Sequence, residues 1–299
     1  GTVTLSRTSV GAGSFAGNSA VIPSGQRLPD GILVGVSTRA DDIVMRPHTS
    51  WFGHPPFELV KREIIEVDRS LTHEPSWIRY INRMLWEAAR SALPLGSVLV
   101  LLGWFNLLAA ADESVAPATL LWGVMPLAIL GTGAAFCLLV LALKWALLGR
   151  VRPGVHPLWS CWCSRWDFFF VAWQVYARFP LSHLEGTLLL PWYLRAMGMH
   201  IGRHVVLGGG YSQVVDPDML HFEDEATVCC QFQAHTFEDR VLKIDHVRIR
   251  RRASVGDAGV MLYGADVGED TRVLPHSVIM KRERLLPGCT YAGCPTEPV

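Results

Sequence analysis

The spacing of apolar residues divides the chain into segments of different kinds. From Ile249, a step of six lands on Val255, Met261, Val267, Val273 and Ile279, every one of them apolar. Four positions past each anchor stands a small residue: Ala253, Gly259, Ala265, Thr271 and Ser277. The same walk near the N-terminus meets Thr4, Val10, Ala16, Ile22, Leu28 and Val34, with Thr8, Ser14, Ala20 and Thr38 at small positions. A strict period of six excludes a helix. It predicts short flat strands wound into a triangular prism, one aliphatic side chain per strand pointing inward. Ile201 with Leu207, and Phe222 with Val228 and Ala234, keep the step in between. Gly208-Gly209-Gly210-Tyr211 and Asp216-Pro217-Asp218 read as turns. Residues 235–247 break the period and read as an excursion from the coil, the kind of irregular loop where function concentrates.

Mid-chain the pattern changes. Residues 92–111 and 118–143 are apolar and carry no charge, and each reaches the ~20 residues that span a bilayer. The link between them is a short acidic turn. Arg79, Arg83 and Arg90 precede the pair, and Lys144, Arg150 and Arg152 follow it. Basic flanks on both sides place both neighbouring segments in the cytoplasm. Residues 76–91 read as an amphipathic lead-in helix, with Trp77, Tyr80, Ile81, Met84, Leu85 and Ala88 at helical spacing. Residues 155–198 hold Trp159, Trp162, Trp166, Phe168, Phe169, Phe170 and Trp173. They read as aromatic amphipathic helices lying on a membrane surface, with a packed core helix as the alternative.

The expected fold is therefore β with membrane helices: left-handed parallel β-helix (hexapeptide-repeat) domains flanking a two-helix transmembrane hairpin at 92–148. Residues 1–40 would be the C-terminal coils of a first domain, 41–75 a linker, and 199–299 a second domain. Leu28-Pro29 through Thr38 and Leu286-Pro287 through Thr296 superpose with one gap, as two copies of one closing motif would. A chain that opens inside a repeat is expected to belong to something longer.

Composition agrees with this division. Hydrophobic residues make up 50% and charged ones 18%, against about 25% charged in soluble domains. Mean hydropathy is +0.25. The 27 basic and 27 acidic residues cancel, which argues against a nucleic-acid partner. The seven cysteines form no CxxC pair, so neither a zinc site nor a disulfide framework is expected.

This order of segments, with His235-Thr236-Phe237-Glu238-Asp239-Arg240, resembles the C-terminal region of the ε-poly-lysine synthetase type of nonribosomal peptide synthetase. Thr49-Ser50-Trp51-Phe52-Gly53-His54-Pro55-Pro56, Leu190-Pro191-Trp192-Tyr193-Leu194-Arg195 and Leu274-Pro275-His276-Ser277 extend the likeness over essentially all 299 residues. The resemblance implies tandem β-helix domains, related in fold to hexapeptide acyltransferases, that form amide bonds. The donor would be an aminoacyl thioester on the phosphopantetheine of a carrier domain, loaded by an adenylation domain. The acceptor would be an amine or a growing polyamide. A bacterial inner membrane and a possible homo-oligomer follow from the same likeness. No directly bound cofactor or metal is implied.

Acyl transfer to an amine needs a base and donors for the oxyanion. His235, beside the inward Ala234, is the candidate base, with a structural histidine as the alternative. Glu238 or Asp239 would orient its ring. Asp216, Tyr211, Arg240 and Asp245 are candidate substrate-binding residues. His204, His221, His246 and His276 are spare candidates. Cys229 and Cys230 could be nucleophiles or packed coil residues. The run Arg248, Arg250, Arg251, Arg252 could meet a carrier or face solvent. A function from another class is a noncatalytic scaffold, in which the coils dock carriers or oligomerise at the membrane.

Overall fold

The computed structural model describes residues 2–3, 5–40, 45–59, 65–112 and 114–299. Thr4 of the hexad walk, Glu113 of the acidic turn, and 41–44 and 60–64 of the expected linker lie outside the described residues. The chain divides into two compact units, Gly1–Glu66 and Val67–Val299.

In the second unit the hexads form a parallel β-helix. Arg248 pairs with Asp266, and Asp266 with Arg284. Each step is 18 residues, so three hexads make one coil. Strands stack into three parallel sheets, one per face of the prism. The anchors Ile249, Val255, Met261, Val267, Val273 and Ile279 are all buried, and so are the small residues Ala253, Ala265, Thr271 and Ser277. Small side chains fit there because a coil corner brings two walls together. Two steps are longer: Ile201 pairs with Phe222, 21 residues on, and Phe222 with Ile249, 27 residues on. In the second of these, residues 235–244 leave the coil as a hairpin, His235–Glu238 against Val241–Ile244, and Gly154–Pro157 pairs alongside as a third strand.

The first unit shows the same 18-residue pairing in Ser9–Val10 with Arg27–Leu28 and in Phe15–Ala16 with Leu33–Val34. Val34 is buried while Val10 is exposed, since an inward residue is covered only by coils on both sides. Two expectations are corrected here. The expected linker holds strands: Ser50–Phe52 pairs parallel with Leu33–Val34, then turns back antiparallel onto Phe57–Glu58. This coil is one residue short, with Leu33 opposite Ser50, so a strict six-step passes over it. The two closing motifs also match in a different register. Gly53 N–H donates to Thr38 Oγ1 at 3.0 Å, and Gly293 N–H donates to Ser277 Oγ at 3.2 Å. Thr38 therefore corresponds to Ser277 rather than Thr296.

The lead-in helix is not separate. One helix runs Trp77–Asp112 through Pro94. Its first turns are held by stacked rings, Trp77 on Tyr80 and Tyr80 on Trp159, and by Arg83 to Asp167 at 2.6 Å. A second apolar helix spans Pro117–Leu147, with a wide turn at Leu120–Val124. Both are long and apolar enough to cross a membrane, and only 6% of the most apolar window of each is buried. Phe105 and Trp122 are 74% and 79% exposed. Trp104 Nε1 donates to Thr132 Oγ1 at 3.0 Å across the pair.

The aromatic helix Cys161–Ala172 takes the packed rather than the surface alternative. Cys163, Phe169, Ala172 and Trp173 are buried. They join one core running from Leu93 and Val140 into the interior of the coils. Burying Trp173 removes roughly 150–250 Å² from water, about 4–6 kcal/mol at 25 cal/mol per Å². The surface expectation holds better further on, where Phe179, Leu188 and Trp192 are exposed.

Gly96 lets Tyr176 approach the first apolar helix, where its hydroxyl donates to Leu93 O at 2.6 Å; a Cβ at Gly96 would stand 2.3 Å from that hydroxyl. Nothing lies within 4 Å of a Cβ at Gly131. Gly96→Leu should lower stability by about 1–3 kcal/mol and Gly131→Leu far less. Thermal unfolding of the two variants in the same detergent checks this.

Candidate active site

His235 begins the excursion strand, directly after the inward Ala234. Its Nδ1 lies 2.8 Å from Asp216 Oδ2. The other carboxylate oxygen, Oδ1, accepts from Trp166 Nε1 at 2.7 Å. The Trp166 and His235 rings meet edge to face at 5.1 Å. The Asp216 side chain is 1% exposed and that of His235 is 23% exposed. Asp216 accepts on both oxygens, so the ring proton of His235 belongs on Nδ1. Among the described residues Nε2 has no partner. An open nitrogen backed by a buried carboxylate is the arrangement of a general base.

Local structure explains how Asp216 reaches this place. Its backbone is left-handed, φ 55° and ψ 57°, at the head of a tight turn in which Met219 N–H donates to Asp216 O at 2.9 Å. Aspartate tolerates that region better than most residues. The loop before it is fastened to the aromatic segment: Trp173 Nε1 donates to Ser212 O, and Gln213 Nε2 to Phe170 O, both at 3.0 Å. Glu185 accepts from Gly210 N–H at 3.0 Å and Ser212 N–H at 2.9 Å. Burial raises the pKa of Glu185, but these donors outweigh it and leave the carboxyl below its usual range. On the far side of Asp216 a cleft opens between Lys144, Leu148, Val151, Trp166, Phe169 and the 214–218 turn. His156, on the strand beside the excursion, stacks on Trp162 with centroids 3.7 Å apart. Burial lowers its pKa, and the nearby Asp216 offsets only part of this.

The expected site residues fare differently. His235 and Asp216 come together, and the carboxylate at the imidazole is that of Asp216. Glu238 and Asp239 lie elsewhere. Glu238 points to the other face of its strand, where it accepts from Thr236 Oγ1 at 3.0 Å, pairs with Lys281 and lies 3.6 Å from Lys243. Burial raises its pKa, and the two lysines overcome this and hold it below the ordinary value. Asp239 and Arg240 form the hairpin turn, both with positive φ. Arg240 Nη1 reaches Thr72 O at 3.3 Å. Asp245 Oδ1 accepts from the adjacent His246 N–H. Tyr211 is buried, its hydroxyl hydrogen shared between Val228 O at 3.0 Å and Cys230 O at 2.8 Å. It bonds the coil backbone, and burial raises its pKa.

The spare candidates have other surroundings. His204 and His276 are at coil corners with positive φ. His221 Nε2 lies 2.9 Å from His246 Nδ1. Burial, with His246, Arg248 and other cations nearby, lowers the pKa of His221 to about 4. Burial raises the Cys230 thiol away from reactivity. The arginine run serves the coil itself: Arg250 binds Asp266 at 2.8 Å, Arg251 binds Glu269 at 2.6 Å, and Arg252 binds Asp270 at 2.7 Å. Trp166 and Lys144 carry no sequence signal of a site role; each lies more than 49 residues from the aspartate it meets.

No family model matches the chain. Over its whole length it is 31% identical to a delta-poly-L-ornithine synthetase of Acinetobacter baumannii, of which it spans 23%. The chain is thus a relative of one part of a poly-amino acid synthetase. Among solved structures it overlaps a hexapeptide-repeat-containing acetyltransferase from Vibrio cholerae at 13% identity and TM-score 0.33, over 41% of this chain and 86% of that one. Soybean serine acetyltransferase overlaps at 11% identity and TM-score 0.26, over 79% of this chain and 100% of that one.

Two outcomes are expected from this geometry. Tyr211→Phe should destabilise by about 1–3 kcal/mol, through unsatisfied carbonyls, without changing the activity of the site; thermal melts and turnover together check it. Glu238 has a folded pKa below its ordinary 4.5, so its stabilising effect is present above that value and is lost as pH falls through the lower folded one. Melting temperature should drop more steeply below pH 4.5 in wild type than in Glu238→Gln.

Proposed function

We propose that the second unit is an amide-bond-forming acyltransferase within a nonribosomal-type poly-amino acid synthetase. The observation that carries this is the His235–Asp216 pair, with Trp166 on the second carboxylate oxygen and Nε2 open. His235 Nε2 takes a proton from the attacking amine as its nitrogen bonds to the thioester carbonyl carbon. The carbon–sulfur bond then breaks, and the proton passes to the departing thiolate. Asp216 steadies the imidazolium formed between these steps. The thioester would sit on the phosphopantetheine of a carrier domain, and the acceptor would be a free amine or the growing polyamide. Relationship over the whole chain to a delta-poly-L-ornithine synthetase supports this substrate class.

The same reading takes the coils as left-handed and the two apolar helices as a transmembrane hairpin in a bacterial inner membrane. Its basic ends, and both β-helix units, would lie in the cytoplasm. Exposed Phe105, Trp122 and Leu127 suit contact with lipid. Held at the membrane in one polypeptide, donor and acceptor sites share a high effective concentration.

The test compares wild type, His235→Ala and Asp216→Asn in the full-length protein. Amide formation from loaded carrier should fall about 10²- to 10⁴-fold, with carrier loading and membrane assembly intact. Unchanged amide formation would overturn the reading and favour a scaffold.

A further inference from the structure

The second apolar helix ends on a charge sealed inside the protein. Lys144 Nζ lies 3.1 Å from Asp218 Oδ1 and 3.0 Å from Oδ2, and the two side chains are 1% and 4% exposed. Gly198 closes over the pair: a Cβ there would stand 2.3 Å from Asp218 Oδ1 and 3.0 Å from Lys144 Nζ. Lys144 also sits over the Trp145 ring, 3.6 Å from its centroid. Trp145 Nε1 in turn donates to Ala196 O at 2.9 Å. The helix is therefore already fastened by packing and by Trp145, without need of a charge. A buried ion pair is a poor fastener, since apolar residues of similar volume often hold as well or better.

What the pair does share is a turn. Asp218 follows Asp216 by two residues, across Pro217, whose ring fixes its own φ. Two carboxylates are thus buried on one short turn. Trp166 and His235 attend to the first; Lys144 attends to the second. We infer that Lys144 and Asp218 are positioning residues for the His235–Asp216 pair. Lys144 neutralises the second carboxylate, and the turn so fixed holds Asp216 Oδ2 at His235 Nδ1. This rests on the acyl-transfer reading above and adds to it that the end of an apolar helix sets the electrostatics of the site. The groups around Asp216 are His235 on the excursion hairpin, His156 on the strand beside it and Trp166 on the aromatic helix. Asp218 lies on its own turn, with Lys144 behind it and Arg150 near Lys144.

Lys144→Met, Asp218→Asn and the double variant, made in the full-length protein, test this. Lys144→Met leaves an extra negative charge near His235, so the acid limb of the pH–rate profile should move up by about half a unit to one unit. Asp218→Asn leaves an extra positive charge, so the limb should move down by a similar amount. The double variant should return it to the wild-type position even if thermal stability is lower. A purely structural pair predicts lower melting temperatures with no movement of the limb, or movement in the same direction in both single variants; either result overturns the inference. A structure of Lys144→Met gives a readout apart from turnover, in which the His235–Asp216 contact should lengthen from 2.8 Å. An unaltered contact there counts against positioning. Full activity in His235→Ala, by contrast, would sink the acyl-transfer reading itself.

Discussion

A carboxylate kept from water is the constraint around which the second unit is organised. Asp216 is buried on a left-handed residue, and a charge there without partners would cost several kcal/mol. Its neighbours meet that cost in directed bonds, the indole of Trp166 on one oxygen and the imidazole of His235 on the other. Trp166 can serve only if the aromatic helix lies against the coil. The helix stays there because Phe169 and Trp173 are core residues and because Trp173 and Gln213 bond the intervening loop. The polar pair and the apolar packing are thus one arrangement: loosening the helix would strand the carboxylate.

The β-helix supplies what a helical bundle would not, a rigid edge from which a loop can leave and return in register. Thr227 pairs with Ser254 across the excursion, and Ser254 with Arg272 beyond it. The coil beyond the hairpin keeps the 18-residue step. His235 follows the buried Ala234 on one side and pairs with Ile244 on the other. It is an imidazole on an excursion whose two ends are fixed.

Much of this was legible in the sequence, and what escaped did so for physical reasons. The hexads were legible because every anchor from Ile249 to Ile279 meets the same environment, so periodicity in space became periodicity in letters. The excursion showed as a break in that period, and His235 as the histidine at the break. The 17-residue coil at Ser50 escaped because one missing residue shifts the phase. The role of Glu238 could have been ruled out beforehand. Three residues along a strand is an odd step, which places Glu238 on the face opposite His235. The partnership of Asp216 with His235 and Trp166 was not legible. Separations of 19 and 50 residues follow no repeat, and only the folded coil and the docked helix bring them together. The aromatic block misled in a different way, because composition alone does not distinguish a ring facing lipid from one facing core.

Each β-helix unit carries a reversed final strand, Phe57–Glu58 on Ser50–Phe52 and Glu297–Pro298 on Thr290–Ala292. A stack of parallel coils presents at its open face a row of unpaired amides and carbonyls, a template onto which another copy's coil could add. A strand of opposite polarity laid on that row takes up its hydrogen bonds and shows the next comer a mismatched edge. The reversed strand favours separate molecules over filaments, a safeguard against polymerisation written in two residues.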